Sequence, residues 1–183
     1  HYCSRRQRQM CIRDRYVPSR TQLQVLALAK NPDSDIDLSQ GFGVRAPRVQ
    51  GLQIVKPPYG RVTAIDMNSG DHLWMIANAD TPDNIKNHPL LEGVDIPRTG
   101  IPTRAGVLLT KELLFVAEGT GGVGASPIFR AVDKATGDIV AEIDLPANQG
   151  GIPFTYEAGG KQYVAMFVTS GSSAAELIAY ALP

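Results

Sequence analysis

The chain has 183 residues, of which 43% are hydrophobic and 20% charged, and its formal net charge is zero. This composition predicts one globular domain with a sizeable core, and it is not typical of a disordered, fibrous or membrane-spanning chain. Zero net charge gives no electrostatic reason to expect a nucleic acid or an anionic membrane as partner.

The first fifteen residues, HYCSRRQRQMCIRDR, contain five arginines and both cysteines of the chain. They lack the apolar segment of a secretory signal and the amphipathic pattern of a transit peptide. A basic nucleic-acid arm or another targeting segment stays open. We interpret residues 1–15 as a non-native or artefactual leader joined to a partial reading frame, and residues 16–183 as the folded part.

From Tyr16 onward the sequence has no cysteine, and its histidines are His72 and His88. This excludes a disulfide framework, a cysteine-ligated zinc site and a thiol nucleophile. A Ser-His-Asp hydrolase has no support either, because neither histidine lies near a serine of a nucleophile elbow.

A strand-like YVPS at 16–19 precedes a stretch of mixed polarity, residues 20–58, which we interpret as an insertion before the blade strands of 61–77. The insertion contains three alternating aspartates: Asp33, Asp35 and Asp37. Carboxylate oxygens suit calcium, but the glycine and the terminal glutamate of an EF-hand loop are missing. A solvated insertion is therefore the favoured interpretation.

The segment LLFVAEGTGGVG at 113–124 places glycines at the G-x-G-x-x-G spacing of a dinucleotide-binding turn. Such a turn must open a helix. The next residues instead reach a turn signal at 134–137 and then alternate, so 125–143 predicts strand, turn and strand. This pattern disfavours a Rossmann fold.

An internal repeat is more informative about the fold than the glycine spacing. AIDMNSGDHLW at 64–74 and AVDKATGDIVA at 131–141 share Ala, Asp, Gly and Asp at a constant offset of 67 residues. In each copy the first Asp and the Ser or Thr can accept backbone N–H groups, and Gly accepts a positive φ. Two copies in register predict a repeated antiparallel sheet unit.

Four strands are predicted within 105–143 and three within 151–182. We therefore predict an all-β fold, a partial β-propeller with four-stranded antiparallel blades. In it, 105–143 forms a complete blade and 151–182 a final blade of three strands. A propeller accommodates the three-stranded blade because its missing outer strand can come from a distant part of a complete protein.

The ordered set KPPYGRVTAIDMNSGDHLW, NHPLLEGVDIPRTG, FRAVDKATGDIVAEIDLP, PFTYEAGGKQYVAMFV and AELIAYALP resembles the C-terminal part of pyrroloquinoline-quinone (PQQ)-dependent dehydrogenases, nearest to the membrane-type glucose dehydrogenase branch. The resemblance covers nearly everything after Tyr16. It implies the last two to three blades of an eight-bladed quinoprotein propeller. Trp74 ends the first repeat and is expected to dock one blade on the next, whereas Ala141 stands at the equivalent position of the second repeat and predicts a weaker dock.

The resemblance implies oxidation of an alcohol or a sugar hydroxyl, with electrons passing from PQQ to a quinone or cytochrome acceptor. It also implies a periplasmic location, and it places the calcium ligands, the catalytic aspartate and any membrane attachment upstream of this sequence. We assign catalysis to no residue here and expect the isolated fragment to be inactive. A non-catalytic propeller scaffold for binding or assembly is the alternative.

In such a propeller the glycine-rich loop and the connection of residues 78–104 share the face on which the family binds its quinone. Amide and guanidinium groups suit the carboxylates and carbonyls of PQQ, and glycine lets the backbone approach a ligand. The candidate cofactor-binding residues are Asn84, Asn87, Arg104, Gly121 and Gly122. Asp80 and His88 lie in the same connection, and for each of these side chains a structural role in a turn is the competing interpretation.

Overall fold

A computed structural model describes residues 14–30, 32–33, 35–40, 45–119, 127–170 and 174–181. Its strands are β1 Asp14–Arg20, β2 Leu28–Ala29, β3 Ser39–Gln40, β4 Arg48–Val49, β5 Leu52–Gln53, β6 Gly60–Asp66, β7 His72–Ala77, β8 Val107–Leu109, β9 Leu113–Ala117, β10 Ile128–Asp133, β11 Ile139–Asp144, β12 Asn148–Gln149, β13 Phe154–Ala158, β14 Lys161–Thr169 and β15 Glu176–Ala181. A single helical turn, α1 Asp83–Lys86, and a 3₁₀ turn, Pro89–Leu91, lie between β7 and β8. Within the described ranges, no helix has the length and apolarity needed to span a bilayer.

The long strands form three antiparallel sheets. The first has the order β1-β6-β7, and the second has the order β11-β10-β9-β8. In the third sheet β14 pairs with β13 and β12 on one side and with β15 on the other. The predicted all-β fold with four-stranded antiparallel blades is confirmed, and the strand, turn and strand expected after the glycine-rich segment are β10, its turn and β11.

The sheet boundaries differ in detail from the sequence-based division. The first sheet already includes Asp14, which pairs with Asp66, so it begins two residues inside the predicted leader. The third sheet takes in β12, which precedes residue 151. The insertion holds two short antiparallel pairs, β2 with β3 and β4 with β5, where no alternation had indicated strands.

The two repeats fold into equivalent hairpins. In the second, the Asp133 carboxylate accepts the backbone N–H groups of Ala135 and Thr136 at 2.7 and 3.1 Å. In the first, the Asp66 carboxylate accepts the backbone N–H of Asn68 at 2.7 Å. Both hairpins also shift register at the same repeat position, between Ala64 and Ile65 and between Ala131 and Val132. The local turn chemistry therefore recurs together with a β-bulge.

The middle sheet is covered on both faces. One buried cluster joins it to the first sheet: Tyr16, Val62, Ala64, Leu114, Val116 and Val132. A second joins it to the third sheet: Ala117, Phe129, Leu145, Val164, Met166 and Val168. Burial of apolar surface on both sides is the main force holding the three sheets in one stack. Face-to-face stacking of consecutive sheets is the arrangement of successive propeller blades.

Trp74 makes a large part of the contact between the first and second sheets. From β7 in the first sheet, its indole N–H donates to the carbonyl oxygen of Lys134 in the β10–β11 turn at 2.9 Å. The Tyr16 ring lies 5.7 Å from the Trp74 ring, and the Lys134 ammonium lies 5.6 Å from the centroid of Tyr16. The tryptophan of one repeat thus packs on the turn of the next. Ala141, its counterpart, is exposed.

Candidate functional site

Three connections leave the stacked sheets at one edge, here called the loop edge. Arg20 pairs with Gly60 and Ala77 pairs with Arg61, so β1 ends, β6 begins and β7 ends at the same level. The Asn78 side-chain amide then donates to the carbonyl oxygen of Ala117, at the end of β9. The start of the insertion, the connection, the end of β9 and the start of β10 therefore lie at the loop edge, as a propeller topology predicts.

The base of the connection is packed tightly against the sheet. A Cβ added at Gly60 would collide with the backbone of Ile101, and one added at Gly100 would lie 2.6 Å from the carbonyl oxygen of Asn78. The buried Thr81 hydroxyl accepts the N–H of Thr99 at 3.0 Å. Glycine is required here because backbones approach closer than any side chain allows. The connection is therefore a fixed part of the loop edge at its two ends.

A buried ion cluster lies where β9 ends and β10 begins. Arg130 and Glu118 are each 1% exposed and form an ion pair. The Glu118 carboxylate also accepts the backbone N–H of Ile128 at 2.7 Å, so it joins the start of the loop to its end. Arg130 donates to Glu142 at 2.7 Å, and its second terminal nitrogen lies 3.9 Å from Asp80.

The charge of Arg130 is retained despite its burial. Burial lowers the pKa of the guanidinium, but the hydrogen bonds and charges of Glu118 and Glu142 outweigh burial and hold the pKa above its ordinary value. A buried pair of this kind is tolerated because most of its polar atoms find partners. Sequence reasoning did not find this cluster, since Arg130 lies within a strand pattern and its partner Glu118 is twelve residues away.

Gln149 is a second buried polar residue that the sequence did not reveal. Its side-chain oxygen accepts the N–H of Ala117 at 3.2 Å, and its side-chain nitrogen donates to the carbonyl oxygens of Gly106 and Gly151 at 3.0 and 2.6 Å. It therefore ties the end of β9 and the start of the second sheet to the chain that enters the third sheet. No motif surrounds it, so no sequence signal could have found it.

The predicted site residues fall in different places. Asn84 is exposed on α1 and lines a cavity of about 730 Å³ between the connection and the insertion. Asn87 is exposed and caps the C-terminal end of α1. Arg104 is exposed and lines a separate cavity of about 200 Å³. Gly121 and Gly122 lie outside the described residues. The structure thus brings neither asparagine into the cavity of Arg104, and the cofactor-binding assignments stay predictions.

Asp80 and His88, the other residues of the connection considered from the sequence, have structural partners. Asp80 forms an ion pair with Arg98 at 2.8 Å. The Nδ1 atom of His88 accepts the N–H of Leu90, so the ring proton resides on Nε2, which donates to the carbonyl oxygen of Gln50 at 2.9 Å. His88 therefore attaches the β4–β5 hairpin to the connection.

The smaller cavity, here called the arginine cavity, has a cationic lining. Arg20, Arg61 and Arg104 line it together with Asn78 and Ser19. Arg61 donates to the Thr21 hydroxyl at 2.9 Å. The Oδ1 atom of Asn78 is buried and has no hydrogen-bond partner among the described residues. Unsatisfied buried acceptors are rare in folded proteins, so this atom is a candidate for ligand contact.

The described residues include no group of three or more His, Cys, Asp or Glu side chains that could hold a metal ion. The alternating aspartates of the insertion, Asp33, Asp35 and Asp37, are exposed. The expectation that calcium ligands lie upstream of this sequence stays a prediction.

Stacked antiparallel sheets with long connections gathered at one edge are the architecture of a β-propeller. Comparison with known proteins narrows this class. Residues 15–164 match the family profile described as "PQQ: Glucose/ethanol/alcohol dehydrogenase, beta-propeller domain". The chain belongs to this PQQ-dependent dehydrogenase family, and the family resemblance read from the sequence is confirmed.

Individual relatives agree. The chain is 34% identical over 145 residues to the glycerol dehydrogenase large subunit of Gluconobacter thailandicus, covering 73% of this chain and 18% of that protein. It is 29% identical over 149 residues to a quinoprotein glucose dehydrogenase of Gluconobacter oxydans, covering 78% and 17%. It is 32% identical over 143 residues to a probable quinate dehydrogenase (quinone) of Xanthomonas campestris, covering 73% and 17%. The chain thus spans less than a fifth of the length of these relatives.

Proposed function

We propose that this chain forms part of a PQQ-dependent dehydrogenase that oxidises the hydroxyl group of an alcohol or a sugar and passes the electrons to a quinone or cytochrome. The observation that carries the proposal is the arginine cavity at the loop edge of a propeller whose sequence matches the PQQ family from residue 15 to residue 164. The named relatives include glycerol, glucose and quinate dehydrogenases, which are the substrate classes that we consider.

The residues of the arginine cavity fit such a cofactor. PQQ carries carboxylates and a pyrrole N–H. Guanidinium groups bind carboxylates through charge-assisted hydrogen bonds, and the unpartnered Oδ1 of Asn78 can accept an N–H. Arg104 and Arg20 would hold carboxylates, and Asn78 would orient the ring system. PQQ, when bound, supplies the electron sink for the hydride lost by the hydroxyl-bearing carbon.

This chain's own contribution is binding and orientation. The close packing around Gly60 and the Glu118–Arg130 pair fix the backbone on either side of the arginine cavity, so the side chains there need little reorganisation when a ligand binds. We expect the proton-accepting aspartate and the calcium ligands outside this chain, and a periplasmic location and any membrane attachment belong to the same proposal. Cell fractionation of the full-length protein tests the location.

Substitution of Arg104 tests the proposal. In the full-length protein that contains this chain, Arg104→Ala should raise the dissociation constant of PQQ roughly tenfold or more, because one charge-assisted hydrogen bond is lost. Calorimetric titration of PQQ measures this, and Lys111→Ala, an exposed cation in the β8–β9 turn at the opposite edge, is the matched control.

Equal affinity of the two variants for PQQ would show that Arg104 does not bind PQQ. Reconstituted full-length protein with no PQQ-dependent dye reduction on any alcohol or sugar would favour the scaffold alternative. Dye reduction by the 183-residue chain alone would contradict the expectation that it is inactive.

A further inference from the structure

The cavity of about 730 Å³ at the loop edge, here called the rim cavity, is not explained by the proposed function. It lies between the insertion and the connection, and it shares no lining residue with the arginine cavity. Its volume falls in the range of pockets that hold small organic molecules.

The walls of the rim cavity are largely apolar. Its floor contains the buried side chains of Ile85 and Ile101, and Val25, Leu26 and Ile54 from the insertion complete the apolar wall. Apolar walls of this kind favour a ligand with a hydrophobic body, since its burial removes apolar surface from water.

The charges on the lining have one sign. Among the described lining residues, Arg45 and Arg48 are the ionised side chains, and no Asp or Glu faces them. The Arg48 guanidinium donates through one nitrogen to the carbonyl oxygen of Gly51 at 3.0 Å, which fixes it at the β4–β5 hairpin and leaves its other donors available. A positively charged rim over apolar walls favours an anionic head group.

Tyr59 is a further polar residue of the rim cavity. It is 6% exposed and lines the cavity. Burial raises the pKa of the phenol, and the positive charge of Arg48 acts in the opposite direction. The hydroxyl is therefore a neutral donor beside a guanidinium group at neutral pH. The phenolic hydroxyl of a residue that lines a cavity can donate a hydrogen bond to a ligand or to water.

The hairpin that carries Arg48 is held in place over the rim cavity. His88 in the connection donates to the carbonyl oxygen of Gln50 at the tip of that hairpin. The two walls of the cavity are thus joined by a direct hydrogen bond. This contact attaches the hairpin that carries Arg48 to the connection.

From these observations we propose that the rim cavity binds a small organic carboxylate with a ring-sized apolar body, whose carboxylate accepts hydrogen bonds from the Tyr59 hydroxyl and the Arg48 guanidinium. The apolar body lies against Ile85 and Ile101. The site is separate from the proposed PQQ site and requires no redox step. The site would select its ligand by the negative charge of the carboxylate and by the ring-sized apolar body.

Calorimetric titration of the full 183-residue chain with benzoate and with its neutral analogue benzamide tests the proposal. Benzoate should bind, and benzamide should bind roughly tenfold more weakly or not at all, because the charge-assisted hydrogen bonds are lost. Tyr59→Phe and Arg48→Gln should each weaken benzoate binding by a similar factor. Lys111→Gln, at the opposite edge, should leave it unchanged, and circular dichroism confirms that each variant keeps its sheet content.

Three results would overturn the proposal. Absence of benzoate binding to the folded wild-type chain would show that the rim cavity is not a carboxylate site. Equal binding of benzoate and benzamide would show that the cavity does not recognise an anionic head group. Loss of binding in Arg104→Gln but not in Tyr59→Phe would place the ligand in the arginine cavity instead. None of these results bears on whether the full-length protein uses PQQ.

Discussion

Gly137 shows how much a single residue contributes to the contact between two sheets. Its φ of +83° closes the β10–β11 turn, and a Cβ there would lie 2.9 Å from the Trp74 ring. Gly70 closes the equivalent turn of the first repeat with a φ of +81° and has open space at the same position. The two glycines thus share a backbone requirement, but only Gly137 also makes room for a docking tryptophan.

This difference gives a matched pair of substitutions. Gly70→Ala should lower the free energy of unfolding by about 1–2 kcal/mol, the cost of the left-handed conformation in a residue with a Cβ. Gly137→Ala should cost about 1–3 kcal/mol more, because the added methyl group displaces the Trp74 ring. Urea denaturation measures both values. If the two variants lose equal stability, the Trp74 ring does not pack on this turn.

The contacts of polar residues could be predicted from the sequence only where the partners lie close together in the chain. The Asp-x-x-Ser/Thr-Gly turns could be predicted because the partners of Asp133 lie two and three residues away. Gln149 bonds groups up to 43 residues away in the sequence, so its role depends on the packing of sheets. Local sequence patterns indicate contacts between near neighbours in the chain, but not contacts between sheets.

Among the strands, β1 connects the first sheet to the β10–β11 turn of the second sheet through Tyr16. Its hydroxyl donates to the carbonyl oxygen of Lys134 at 3.3 Å. Burial, and after it the nearby Asp14 carboxylate, raise the pKa of this phenol. Since the pKa of Tyr59 is raised as well, two tyrosines resist ionisation in the folded state.

The sign of the resulting pH dependence follows from linkage. A tyrosine whose pKa is raised by folding contributes its full stability below about pH 10, the unfolded pKa, and loses it as pH rises through the folded pKa. The free energy of unfolding should therefore fall above pH 10, by at most about 1.4 kcal/mol per pH unit for each phenol. Tyr16→Phe should make this decline shallower, as urea denaturation between pH 8 and pH 11 would show.

Tyr156→Phe, which removes an exposed phenol from β13, is the control for that series. A decline as steep in Tyr16→Phe as in the wild type would show that Tyr16 ionises as freely in the folded as in the unfolded state. The difference in phenolate absorbance between the wild type and Tyr16→Phe at each pH reports whether Tyr16 has lost its proton.

The elements of the sheets were more predictable than those of the rim. The strands within 105–143 and 151–182 follow apolar alternation, and their sheet assignments agree with the structure. The pairs β2–β3 and β4–β5 are two residues long on each side, too short to produce a pattern. The hairpin over the rim cavity is held by the bond between His88 and Gln50, which no spacing rule indicates.

At the scale of the whole molecule, the middle sheet explains why these elements form one body. It shares one apolar cluster with the first sheet and another with the third, so each sheet is a layer in a radial stack. The repeat offset of 67 residues predicted equivalent units, and the shared bulge confirms their equivalence. The loop edge could be located from topology alone, whereas the separation of its two cavities depends on how the insertion folds back over the connection.

We propose that these sheets are consecutive blades whose loop edge faces PQQ. An experimental structure of the full-length protein with PQQ bound tests it most directly. We expect PQQ at the arginine cavity, with a carboxylate within hydrogen-bond distance of Arg104, and the first two sheets packed through Trp74. PQQ bound away from the insertion, the connection and the glycine loop, or sheets that do not stack in chain order, would contradict it.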